Sequence, residues 1–278
     1  MGAAEVAAAL LSALLHAGWN AAIKASARPG QAMAAQMLAS AVLVLPALLW
    51  TGPPPPATWI WIAASTLMNL VTVTALLRAY ELGGFGVVYP VVRAVSVLLV
   101  VPLAAALADE RLGDAAIAGV GMIALSLGLL AHGARRDRAF TLGALAWTGA
   151  AGLSTATYVI CDAHGVRLAG SPWAYGFAVS VTNAVAMYAR HHRAGTPWRL
   201  MRTNAALAGA AAVASVASYL LILWVWTRAP IAPASALRDT SAVFALLIAI
   251  AWLREPFTLS RMLAVLLAAA AVPLLRLA

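Results

Sequence analysis

Two stretches decide how this chain is read: VVRAVSVLLVVPLAAALADERL at residues 91–112 and ALRDTSAVFALLIAIAWLREPF at residues 236–257. Each has an arginine, a serine three residues on, a long apolar run and then a glutamate. One offset of 145 residues relates Arg93 to Arg238, Ser96 to Ser241 and Glu110 to Glu255, and it continues through Val120 with Val265. Apolar coincidences weigh little in a chain rich in Ala and Leu, so the three polar matches in one register carry the reading. Duplicated halves are a mark of several transporter folds.

The composition agrees with that setting. The 278 residues are 64% hydrophobic and only 10% charged, with a mean hydropathy of +0.90, far outside the soluble range. The 18 Lys and Arg against 9 Asp and Glu cluster between apolar runs, which reads as loop charge at a membrane and not as nucleic-acid binding. A single cysteine, Cys161, excludes an intramolecular disulfide and a thiolate metal site. The first apolar run resembles a secretory signal, but Glu5 precedes it and Lys24 and Arg28 follow it. The reverse polarity argues for a retained helix.

About 20 apolar residues span a bilayer core as a helix. Ten runs fit, at about 4–23, 31–50, 58–79, 85–107, 115–132, 140–160, 172–189, 205–227, 231–252 and 261–277. The predicted fold is therefore an all-α integral membrane protein of ten transmembrane helices, arranged as two five-helix repeats over residues 1–134 and 139–278. An odd number of spans per half inverts the second half, and an inverted repeat puts the substrate at the midplane between the halves.

Both halves carry a helix that ends in a Glu turn, Asp109-Glu110-Arg111-Leu112 and Arg254-Glu255-Pro256-Phe257. With these the chain resembles the EamA-type transporters of the drug/metabolite transporter superfamily. His16-Ala17-Gly18-Trp19-Asn20, followed by Lys24, and Val88-Tyr89-Pro90, followed by Arg93, are similar to one bacterial branch that includes members associated with phosphonate utilisation. The resemblance implies a multi-pass carrier of the cell inner membrane with both termini inside. The positive-inside rule gives the opposite orientation. Loops after odd-numbered runs hold twelve basic residues: Lys24, Arg28, Arg78, Arg135, Arg136, Arg138, Arg190, Arg193, Arg199, Arg202, Arg254 and Arg261. The other side holds four: Arg111, Arg167, Arg228 and Arg276. The charge count is the stronger guide, and it makes the loops after odd-numbered helices cytoplasmic.

Ionisable side chains inside a membrane are functional candidates by default. Arg93 and Arg238 lie at similar depths in repeat-related helices, and a guanidinium offers a planar fork to a carboxylate or phosphonate. The competing reading has each arginine neutralising a protein carboxylate such as Asp239. Tyr89-Pro90 lies one turn before Arg93, and a proline there can kink the helix at a cavity. Pro230 and Pro233 stand near the start of the partner segment. His16, Trp19, Asn20 and Lys24 share one helical stripe, with Tyr158, Asp162 and His164 in the corresponding region of the sixth run. The expected substrate-binding set is Arg93, Arg238, Tyr89, Trp19, Asn20, His16, Tyr158 and Tyr219, and the proton-coupling candidates are His16, Asp162 and Asp239. Asn69, Asn183 and Trp224 are secondary candidates. Glu81, Glu110 and Glu255 at helix ends suggest structural or gating roles, and Gly143, Gly149 and Gly152 suggest close helix packing.

No His-Glu-x-x-His helix, Gly-x-Ser-x-Gly elbow, Walker loop or dinucleotide fingerprint occurs, so no enzyme, metal, cofactor or ATP-driven chemistry is expected. The expected protein is a secondary transporter working by alternating access, with export coupled to protons or exchange. Its cargo is a small polar metabolite, an amino acid or related organic anion or zwitterion. A small-cation or multidrug exporter and a lipid-headgroup flippase are the alternatives. The expected partners are the small-molecule substrate and the lipid bilayer, in a monomer or homodimer.

Overall fold

The computed structural model describes residues 1–82, 85–135, 141–203, 205–253 and 258–277. The described residues are helical and contain no strand. In chain order the helices are α1 (Ala3–Lys24), α2 (Pro29–Thr51), α3 (Trp59–Leu82), α4 (Phe85–Ala108), α5 (Asp114–Arg135), α6 (Leu142–Ala169), α7 (Pro172–His191), α8 (Pro197–Thr203), α9 (Ala205–Trp226), α10 (Ile231–Asp239), α11 (Ser241–Leu253) and α12 (Leu259–Leu277). Among the described residues, the ten predicted runs fall on helix apart from a residue or two at their ends and the break at Thr240. Among the described residues, seven segments are long and apolar enough to cross a membrane: α1, α2, α3 with its leading turn, α6, α9, Val91–Ala108 of α4, and Ile231–Ile248 across α10 and α11. Leu49, Trp50 and Ile60 are 76%, 91% and 73% exposed, an outer surface suited to lipid and costly in water. The chain is a multi-pass membrane protein.

Local signals set the boundaries. The Thr141 side chain accepts from the Ala144 N–H and caps α6. Gly170, at φ +65, ends α6, and Ser171 then caps α7 with Pro172 in its first turn. Two runs differ from expectation. The sixth extends nine residues past 160, because Asp162, His164 and Arg167 find partners inside the protein and do not end the helix. The ninth is split at Thr240, whose N–H bonds Leu237 O at 3.3 Å and whose Oγ1 donates to the same carbonyl at 2.6 Å. That tightened turn replaces the regular ladder and separates α10 from α11.

Helix pairing follows a regular plan. α3 packs along α6 and α9 along α1; α4 packs on α6 and α10 on α1; α5 pairs with α12 and α2 with α7. Hydroxyls clasp the first two pairs. Ser12 Oγ donates to Ser218 O at 2.7 Å and Ser218 Oγ to Ser12 O at 2.8 Å, while Thr72 Oγ1 donates to Ser154 Oγ at 2.8 Å. Such bonds contribute about 0.6 kcal/mol each between membrane helices. Gly152 meets α4 so closely that a Cβ there would lie 2.5 Å from Val95 Cγ1, whereas Gly149 faces open space. Close packing therefore accounts for Gly152 and not for Gly149.

The two sets of basic residues lie at opposite ends of the bundle. Gly30 at the start of α2 adjoins His191 at the end of α7 and Leu77 near the end of α3, which gathers the Lys24, Arg28, Arg78 and Arg190 region at one end. At the other end Arg167 reaches Glu110 and the α9–α10 corner, and the Met1 amino group donates to Arg276 O at 2.7 Å. Arg136, Arg138, Arg254 and the Glu255-Pro256-Phe257 turn lie outside the described residues.

Candidate functional site

A cavity of about 120 Å³ lies inside the bundle, with room for several waters or one small metabolite. All eight residues expected to bind substrate line it: His16, Trp19 and Asn20 from α1, Tyr89 and Arg93 from α4, Tyr158 from α6, Tyr219 from α9 and Arg238 from α10. Asn69 of α3 and Asn183 of α7 join them. The periodicity that put His16, Trp19 and Asn20 on one stripe is the reason they arrive together. Lys24, one turn further on, is exposed and does not reach the cavity, and Trp224 sits outside it, stacked under the Arg228 guanidinium at 4.5 Å. His164 packs on the Trp61 ring at 4.9 Å. Glu81 pairs with Arg78 on an exposed helix end.

The two arginines differ in their partners. Arg93 is 7% exposed; its Nη1 donates to Asp239 Oδ1 at 3.0 Å, its Nη2 meets His16 Nε2, and its guanidinium lies 5.1 Å from the Tyr89 ring centre. An arginine has only donors, so His16 Nε2 must accept, and a proton reaching that nitrogen has to displace Arg93. Arg238 is 6% exposed, and among the described residues it has neither an ion pair nor a hydrogen bond. Its guanidinium lies 6.0 Å from the Trp226 ring centre, and it acts electrostatically on the Asp162 and Asp239 carboxylates. Tyr89 OH and Ser241 Oγ, 3.2 Å apart, complete the contact between α4 and the α10–α11 break. The repeat-related Arg and Ser segments thus meet each other in the centre of the protein.

Of the proton-coupling candidates, Asp162 and Asp239 stand just behind the cavity wall. Asp162 is 1% exposed, and its carboxylate accepts from Tyr219 OH at 2.8 Å and from Tyr175 OH at 3.1 Å. Tyr219 lines the cavity, so Asp162 is one hydrogen bond from it.

Several lining residues escaped the sequence reading: Gln36 and Ser40, which bond each other at 2.8 Å, with Thr72, Thr155, Ser180 and Ser215. Single hydroxyls and amides in apolar helices carry no periodic or charge signal, and a buried one more often bridges helices. Trp19 Nε1, Gln36 Oε1 and the Nε atoms of Arg93 and Arg238 are buried with no hydrogen-bond partner among the described residues. Among the described residues no cluster of His, Cys, Asp or Glu is arranged to hold a metal.

The fold and site define a helical membrane protein with a cavity lined by polar residues and two buried arginines, an architecture that membrane transporters share. Residues 142–277 match the EamA-like transporter family and form an EamA-like transporter domain. No curated protein matches the chain. A solved crystal structure, 17% identical, superposes with a TM-score of 0.72 over 98% of this chain and 95% of that one, so the chain has the fold of that structure along nearly its whole length.

Proposed function

We propose that the protein is a secondary transporter that exports a small zwitterionic metabolite, an amino acid or a close relative, across the inner membrane by alternating access. The single observation that carries this reading is Arg238, a buried cation on the wall of a metabolite-sized cavity that makes no direct ion pair or hydrogen bond among the described residues, although the Asp162 and Asp239 carboxylates act on it from a distance. A buried guanidinium whose Nε has no hydrogen-bond acceptor offers a vacant site to an anionic group of the substrate, its natural complement. The described lining contains two arginines and no Asp or Glu, which argues against a cation as cargo.

Ten spans in two inverted halves are part of the same proposal. The repeat offset, the mutual contact of the Arg93 and Arg238 segments, and the pairing of α3 on α6 as α9 on α1 all support it. Proton coupling rests on Asp162. With a substrate carboxylate at Arg238, an ammonium directed toward Tyr219 and Asp162 competes with a proton there, and competition for one site is what an exchanger needs. The test is counterflow in proteoliposomes with a panel of labelled amino acids, dicarboxylates and quaternary amines. Exchange of zwitterions that Arg238→Ala abolishes is expected; exchange of quaternary amines alone overturns the reading.

A further inference from the structure

The third polar match of the repeat, Glu110, takes no part in the cavity and has a position of its own. Its carboxylate accepts from the Ile231 N–H at 2.8 Å and lies 3.4 Å from the Ala232 N, closing over the N-terminus of α10. Arg167 at the end of α6 donates from Nη2 to Glu110 Oε1 at 3.0 Å and to Ala229 O at 3.1 Å, and from Nε to Trp226 O at 2.9 Å. One carboxylate and one guanidinium therefore tie together the α4–α5 turn, α6, and the α9–α10 corner. The backbone is bent to present the carboxylate: Asp109 is the one non-glycine with positive φ among the described residues, at +51, and the Glu110 N–H returns to Ala104 O at 3.3 Å. A non-glycine in that region is an uncommon conformation that the surroundings must hold.

We propose that this clamp is the gate of the end at which Arg111, Arg167, Arg228 and Arg276 lie, closed in this structure and released when the cavity opens there. Three observations carry it. The lining residues Trp19, Asn20, Met33 and Tyr89 lie within about one turn of the opposite ends of α1, α2 and α4, so the cavity leans away from the clamp. The clamped terminus is that of α10, the short helix that presents Arg238, and the Thr240 break lets it move apart from α11. Finally, the Glu110 side chain is 10% exposed but that of Arg167 is 36% exposed, so water can exchange for the ion pair on release. A wholly buried pair would be a fixed strut. The repeat gives Glu255 the equivalent sequence position for the other end; it lies outside the described residues.

The inference rests on alternating access and not on the identity of the cargo, and it is tested without substrate. In a Cys161→Ala background, Ser235→Cys reports from α10, between the clamp and Arg238, where Ser235 is 3% exposed. Met33→Cys reports from the other side of the cavity. Glu110→Gln removes the charge and keeps the shape. In purified protein it should raise the thiol-labelling rate of Ser235→Cys about tenfold, the scale of one charge-assisted hydrogen bond, and lower that of Met33→Cys. Opposite changes identify a gate. Rates that rise together mark a loosened strut, and rates that both stay unchanged mark a passive contact; either result overturns the proposal. Counterflow that fails for every solute tried, with the opposite changes present, removes the substrate assignment and leaves the gate.

Discussion

Asp239 gives its carboxylate to Arg93, 3.0 Å away in another helix, and not to Arg238 beside it in the sequence. Adjacent helical residues diverge by about 100° and cannot face one another, whereas the α4–α10 crossing aims Arg93 at Asp239. Asp239 thus bonds Arg93 directly and acts on Arg238 only through space. Arg93→Ala or Asp239→Ala should each destabilise the purified protein by about 3–5 kcal/mol by stranding a buried charge, while the double variant recovers most of that loss. Thermal unfolding in detergent reads the cycle, and simple additivity of the two losses would count against the pair.

Arg238→Lys keeps the charge and removes the fork. Loss of a two-point contact to a carboxylate should weaken apparent affinity by at least about tenfold while leaving unfolding temperature near wild type, since lysine keeps the charge that acts on Asp162 and Asp239 and Arg238 makes no direct hydrogen bond among the described residues. Transport at the wild-type rate and affinity would remove Arg238 from the substrate.

Asp162 faces Tyr175 of α7 and Tyr219 of α9 directly, with Cys161 beside it and Arg238 as the nearby cation. If proton and ammonium compete there, acidifying the loading side should raise the apparent KM for a zwitterion. Asp162→Asn cannot exchange a proton, so it should abolish both that pH dependence and uptake driven by a pH gradient, while substrate counterflow persists. A variant that still responds to the gradient would transfer the coupling role to another group.

Gly165 admits the Tyr175 ring that reaches Asp162; an added Cβ would lie within 2.5 Å of Tyr175 Cζ. Gly165→Ala should cost about 1–3 kcal/mol through overpacking and, by displacing Tyr175, shift the pH dependence of transport. An alanine variant with wild-type stability and pH profile would show that the Tyr175 contact is dispensable.

How much of this was legible follows from the kind of signal each residue carries. The helical runs are written in length and apolarity, and the site arginines in their improbability inside such runs, so the long helices and Arg93 with Arg238 could be anticipated, whereas the short α8, between two runs, could not. The break at Thr240 was not, because Thr-Ser in an apolar run looks like any other pair until its side chain bonds Leu237 O. Partner choice was not either: Asp239 is next to one arginine in the chain and against another in space. Gln36, Ser40 and Ser180 were invisible for want of charge or spacing.

Orientation follows from the same loops. Lys24, Arg28, Arg78 and Arg190 gather at one end and Arg167 and Arg276 at the other, so the chain presents the bilayer with a strong charge asymmetry. The positive-inside rule counts basic residues in short loops near the membrane and makes the first end cytoplasmic. The family resemblance implies the reverse, with both termini inside. In a Cys161→Ala background, single cysteines replacing Ser26 and Gly195 should resist a membrane-impermeant thiol reagent in intact cells and react once the cells are opened. A cysteine replacing Gly113, in the turn after Glu110, should react in intact cells. The inverse pattern at all three positions would set the loops after odd-numbered helices outside and move the Glu110 clamp to the cytoplasmic face.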